Sequence, residues 1–104
     1  MKLIRDYEGK TVRLTDERLA HILEHPELAG MEGAISDTVE LPELVVQSRS
    51  DPLARMSYRF YVGTRVGDKY LCVVVRLGDR DAFVVTAYLT DKPKQGEILC
   101  QRKS

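Results

Sequence analysis

Between residues 55 and 90 apolar and polar positions alternate, and two clusters of turn residues interrupt the alternation. Apolar side chains at every second position put one side of an extended strand against a core. The pattern predicts strands at about 55–64, 69–77 and 82–90. Val66-Gly67-Asp68 turns the chain after the first, and Gly78-Asp79-Arg80-Asp81 turns it after the second. Connections this short join antiparallel neighbours, because a parallel crossover needs a dozen residues or more.

Upstream the period is helical. Thr15 fits an N-cap, with Asp16 and Glu17 in the first turn, where the helix dipole favours negative charge. Leu19, Ile22 and Leu23 form the apolar stripe, and Pro26 ends this helix at about His25. A second helix is expected from Glu32 to Glu40 with Ile35 and Val39 facing in, followed by Pro42 and a strand at Leu44–Gln47. Residues 2–14 look like a short extended start that turns at Glu8-Gly9-Lys10. Helices first and strands second imply an α+β fold: two N-terminal helices packed on one face of a four-stranded antiparallel sheet.

The 104 residues fit one domain, 1–104, with no repeat or linker. The longest clean apolar run, Leu71 to Val75, is far short of the roughly 20 residues of a membrane span. Met1-Lys2-Leu3-Ile4-Arg5-Asp6 is charged too early for a secretion signal, so a cytoplasmic protein with no membrane partner is expected. Cys72 and Cys100 are far apart and are expected as free thiols.

Alternation assigns Tyr58, Phe60 and Val62, then Leu71, Val73, Val75 and Leu77, then Phe83, Val85, Ala87 and Leu89 to the helix-covered side. Arg59, Tyr61, Tyr70, Arg76, Thr86 and Tyr88 then share the other. Such residues cover many open sheet faces, since Tyr and Thr favour strands and Arg lies along apolar surface. They also suit metal-free cleavage of RNA. That reaction needs a base for the 2′-hydroxyl, an acid for the leaving oxygen and a cation for the phosphoryl charge. Charge is divided: residues 1–47 hold five Lys/Arg against ten Asp/Glu, and residues 48–104 hold eleven against six. The basic half fits a polyanion, or merely a helical half followed by a strand half.

The only two histidines, His21 and His25, lie one helical turn apart. His21-Ile22-Leu23-Glu24-His25 matches the H-x-x-E-H pattern of inverted zincins. That site needs a third ligand from a later helix, which this chain lacks, and Pro26 follows at once. Neither a metal nor a cofactor is expected, and no phosphate-binding or nucleophile-elbow motif is present.

Several segments together resemble the BECR nucleases, the fold joining barnase, EndoU, colicin tRNases and RelE, and within it the small phage- and bacteria-associated branch. They are Thr15-Asp-Glu-Arg-Leu-Ala-His21-Ile22, His25-Pro26-Glu27, Leu41-Pro42-Glu43, Leu71-Cys-Val-Val-Val75 and Phe83-Val-Val-Thr86-Ala87-Tyr88-Leu-Thr90. The resemblance covers roughly residues 11–95. It implies a metal-independent RNA endonuclease, often a toxin with a small antitoxin protein beside it. The matching positions are His21 with His25, Arg59 or Arg76, and Thr86 with Tyr88. His21 and Tyr88 would exchange protons, Thr86 would hold the phosphate or orient Tyr88, and Arg59 or Arg76 would neutralise phosphoryl oxygens. His25 and Tyr61 would contact substrate, and the product would carry a 2′,3′-cyclic phosphate. The alternative is a nuclease-like module without activity that binds RNA or a partner protein through the same face.

Overall fold

The computed structural model describes residues 1–102. The chain opens on a hairpin of β1 (Lys2–Arg5) and β2 (Thr11–Leu14). The Asp6 carboxylate holds its loop by accepting from the Glu8 and Lys10 amides at 2.9 and 2.8 Å. Helix α1 (Asp16–Leu23) starts where Thr15 Oγ1 accepts from the Arg18 amide at 3.1 Å. A 3-10 turn, Pro26–Leu28, leads to α2 (Glu32–Glu40). Then follow β3 (Leu44–Gln47), β4 (Ala54–Thr64), β5 (Gly67–Leu77), β6 (Ala82–Thr90) and β7 (Ile98–Gln101).

The strands form one sheet in the order β1-β2-β6-β5-β4-β3-β7. Every neighbouring pair is antiparallel except β2 and β6, which meet in parallel at Arg13 and Phe83. This corrects the expected four-stranded antiparallel sheet behind two N-terminal helices. The sheet has seven strands and is mixed, and the helices sit mid-chain after a hairpin. The additions have a physical purpose: β2 covers the free edge of β6 and β7 that of β3, edges a four-stranded sheet would leave open to other chains.

Both sheet faces are covered. The helices bury Ile22, Leu28, Ile35 and Val39 against Val12, Leu14, Leu71, Val73 and Val75. A smaller core of Val46, Met56, Tyr58 and Cys72 lies on the opposite face. The segment 91–97 crosses it on the way from β6 to β7, and the Lys94 amide donates to the Tyr58 hydroxyl at 3.0 Å.

Two face assignments change. In β4 the apolar set Met56, Tyr58 and Phe60 faces away from the helices, while Tyr61 packs into the helix-side core. Because β4 is covered on both sides, its alternation alone does not say which side the helices take. In β6 a bulge at Val85 shifts the pairing from Val74–Thr86 to Val75–Val84. Ala82 and Val84 therefore join Ala87 on the helix side in place of Phe83 and Val85.

Candidate active site between the histidine turn and a hairpin tip

Pro26 shapes the histidine segment. Its ring disfavours helical geometry at His25, which is extended at φ −72°, ψ 118°, so α1 stops and the 3-10 turn begins with proline in its first position. His21 is left on α1, exposed, with Nδ1 3.6 Å from the Glu24 carboxylate. The groove beside it is formed by α1 and its two capping residues, Thr15 and Glu24. His25 sits beyond the helix, with Nδ1 4.0 Å from Glu27 Oε1.

The residues expected to act together are divided between the two faces. Thr86 and Tyr88 pair with Val74 and Cys72 and so lie on the side away from the helices. His21 belongs to the helix layer, and the sheet stands between it and Tyr88. The Tyr88 hydroxyl is buried without a hydrogen-bond partner. Burial, and then the Cys72 thiol beside it, push its pKa far above the ordinary tyrosine value. A phenol held so firmly neutral is poorly matched to proton exchange near neutral pH.

The arginines and Tyr61 also have structural work. Arg59 donates from Nη1 to the Leu41 carbonyl at 2.7 Å, capping the C-terminal end of α2. Arg76 lies on the same side as Thr86, but its Nε donates to Asp51 Oδ2 at 3.1 Å. The Tyr61 hydroxyl donates to the Ala34 carbonyl at 3.1 Å and lies 3.2 Å from Thr38 Oγ1. Burial raises the Tyr61 pKa.

What does converge lies at one end of the helix layer. Strands β4 and β5 run on past their neighbours: β3 pairs only with Arg55–Tyr58, and β6 pairs with β5 only from Tyr70 onward. The overhanging hairpin is built firmly. The pairing shifts between Tyr61 and Thr64, Gly63 takes φ +72°, and its amide donates to Asp68 Oδ1 at 2.8 Å. Between this tip and the 3-10 turn lies a cleft of about 280 Å³. Glu27 lines one wall and Arg65 another, with Tyr61, Met31 and Ala34 among the remaining lining residues. His25 stands next to Glu27. A carboxylate and a guanidinium at one cleft, with an imidazole next to the carboxylate, are the elements of acid–base chemistry on a phosphodiester.

Sequence reasoning singled out His25 and Tyr61 but missed Glu27 and Arg65 as site residues. The available signal was His25-Pro26-Glu27, where the proline turns a helical pair of histidines into a histidine–glutamate pair. Arg65 carries no such signal, because only the reach of the hairpin brings it near. Among the described residues, no group of three or more His, Cys, Asp or Glu stands close enough to hold a metal ion, and no helix is long and apolar enough to cross a membrane. No family model, no curated protein and no solved structure matches the chain.

Proposed function

We propose that this chain is an RNA endonuclease that cleaves by attack of the ribose 2′-hydroxyl, with its chemistry at the Glu27–His25–Arg65 cleft. The observation that carries the reading is Glu27 and Arg65 lining one cleft with His25 beside the carboxylate. The likeness of His25-Pro26-Glu27 to the BECR nucleases supports it from the sequence. Glu27 takes the 2′-hydroxyl proton as the 2′-oxygen bonds to phosphorus. Protonated His25 gives a proton to the departing 5′-oxygen, leaving a 2′,3′-cyclic phosphate. Arg65 holds the phosphoryl oxygens, where charge accumulates, by charge-assisted hydrogen bonds. No step requires a metal. A toxin role with a small antitoxin belongs to the same proposal, and co-expression with a neighbouring short reading frame that relieves growth arrest would support it.

A second reading is a nuclease-like module that binds RNA without cutting it. The division of His21 from Thr86 and Tyr88 across the sheet favours this reading. Incubating the pure protein with end-labelled RNA in EDTA decides between them. Cyclic-phosphate products that disappear in Glu27→Gln and Arg65→Ala support the endonuclease. Intact RNA across many sequences, or cleavage only on adding a divalent ion, overturns it.

A further inference from the structure

The face away from the helices carries a second groove, of about 340 Å³, between the overhanging hairpin and the end of β7. Phe60, Tyr70, Leu44 and Pro93 supply its apolar surface, and Arg102 stands at its rim with Glu43. Its rings form a series running out of the core. Tyr58 is fully buried, Tyr70 meets it edge-on at 6.5 Å between centroids, and Phe60 meets Tyr70 at 5.0 Å. Phe60 is 41% exposed, which is unusual for a phenylalanine in mid-strand. Helix packing gives it no role, since it projects on the other side of the sheet.

Two cations and one carboxylate, Arg102, Lys94 and Glu43, lie in and beside this groove, a net positive balance that suits a phosphate. Arg102 lines the groove, and Lys94, on the crossing segment, holds its ammonium 5.9 Å from the Tyr88 ring centroid. Among the described residues neither cation is in an ion pair. The carboxylate at the rim is held to the backbone, where Glu43 Oε1 accepts from the Phe60 amide at 2.7 Å, and its one negative charge stands against the two cations. That contact also closes the β4 edge where β3 has ended. An exposed ring with cations beside it matches the stacking platforms of single-strand binders.

We propose that this groove is a subsite for an unpaired nucleotide of single-stranded RNA, its base stacked on Phe60 and its phosphate held by Arg102 and Lys94. The inference rests on RNA being the ligand, as in the proposed function, and adds where the strand goes. Phe60 and Arg65 lie on the same hairpin, five residues apart, with the bend at Gly63 between them. A strand passing round the tip reaches both, with the scissile phosphate on one side and a neighbouring base on the other.

The test is fluorescence anisotropy with a labelled single-stranded oligonucleotide carrying 2′-O-methyl groups, which cannot be cleaved, alongside a duplex of the same sequence. Phe60→Ala is expected to weaken single-strand binding about five- to a hundred-fold, to leave duplex binding unchanged, and to be rescued by Phe60→Trp. Arg102→Ala lowers the salt dependence by about one counterion. Circular dichroism checks that each variant is folded. Equal single-strand affinity for Phe60→Ala and the parent protein, or no binding by the parent, overturns the subsite. Cleavage that persists in either case leaves the endonuclease standing. Phe60-dependent binding by a protein that cuts nothing overturns the endonuclease and supports the subsite.

Discussion

Gly96→Ala tests how the segment 91–97 is fastened across the sheet. A Cβ at residue 96 would fall on the Gln47 carbonyl oxygen and 2.6 Å from Val46 Cγ1. Neither obstacle yields easily. The Gln47 amide donates to the Glu97 carbonyl at 2.8 Å, and its side-chain Nε2 donates to the Ala54 carbonyl at 2.9 Å. Val46 is buried in the second core. The crossing segment must therefore move, and overpacking of this kind costs about 1–3 kcal/mol. In a domain of roughly 100 residues each kcal/mol shifts Tm by about 4–8 °C, so Tm should fall by about 4–24 °C. Gly33→Ala is the counterpart: it lies in α2, with nothing within 4 Å of the added methyl. Alanine there should stabilise by about 0.5–1 kcal/mol. Thermal unfolding followed by far-ultraviolet circular dichroism reads both. An unchanged midpoint for Gly96→Ala beside a raised one for Gly33→Ala would refute the close approach at β3.

His21→Ala should keep RNA cleavage within a few-fold of the parent, whereas Glu27→Gln should lose about a hundred-fold or more, measured by initial rates on labelled RNA. The reverse ranking would return the chemistry to α1. Stability should fall with acid. Hydrogen bonds from Arg55 to Glu8, from the Leu53 amide and then Arg76 to Asp51, and from Arg13 to Asp81 hold these carboxyls below their ordinary pKa values. A carboxyl whose pKa is lowered by folding stabilises above the unfolded value and loses that contribution as pH falls through about 4 and below. Asp81→Asn should flatten the decline in Tm between neutral pH and pH 3 or so. At the alkaline end, burial pushes Tyr58 up to about 12 and Tyr88 higher still. Their contribution is complete below about pH 10 and is lost as pH rises toward 12. At about pH 10 to 11 the folded chain should show less phenolate absorbance than the same chain unfolded in urea.

The local elements were largely legible. Thr15 and Pro26 bracket α1, and the second helix and the three long strands lie within a few residues of their expected spans. The full sheet was not legible: the extended start with its turn foretold the hairpin but not its place beside β6, and β7 carries little pattern. The hairpin β1–β2 has four residues on each side, and β7 is Ile98-Leu99-Cys100-Gln101, too short to display a period. The faces failed at the two places where strands depart from simple alternation. One is β4, apolar toward both of its covers, and the other is β6, whose extra residue at Val85 reverses the side of everything before it. The candidate site inherited that error. Thr86 and Tyr88 follow the bulge and were placed correctly relative to β5, but Arg59 and Tyr61 were put on their side when they belong to the other.

Both proposed sites meet at the β4–β5 hairpin because that is where the sheet runs out of neighbours. Each strand has eleven residues, against four in β3, so the last turn of the ribbon has solvent on both sides. A two-stranded ribbon is unstable alone, and this one is supported locally. Tyr61 is anchored to α2 through Ala34, Asp68 holds Gly63, and Glu43 takes the Phe60 amide. These contacts fix the backbone and leave Phe60 and Arg65 open to solvent, on either side of a rigid edge. Binding groups on a supported projection cost less to order when a ligand arrives than the same groups on a loose loop. The features hardest to foresee in the sequence are thus the ones that place the candidate chemistry: an overhang set by the lengths of neighbouring strands, and a bulge at one glycine.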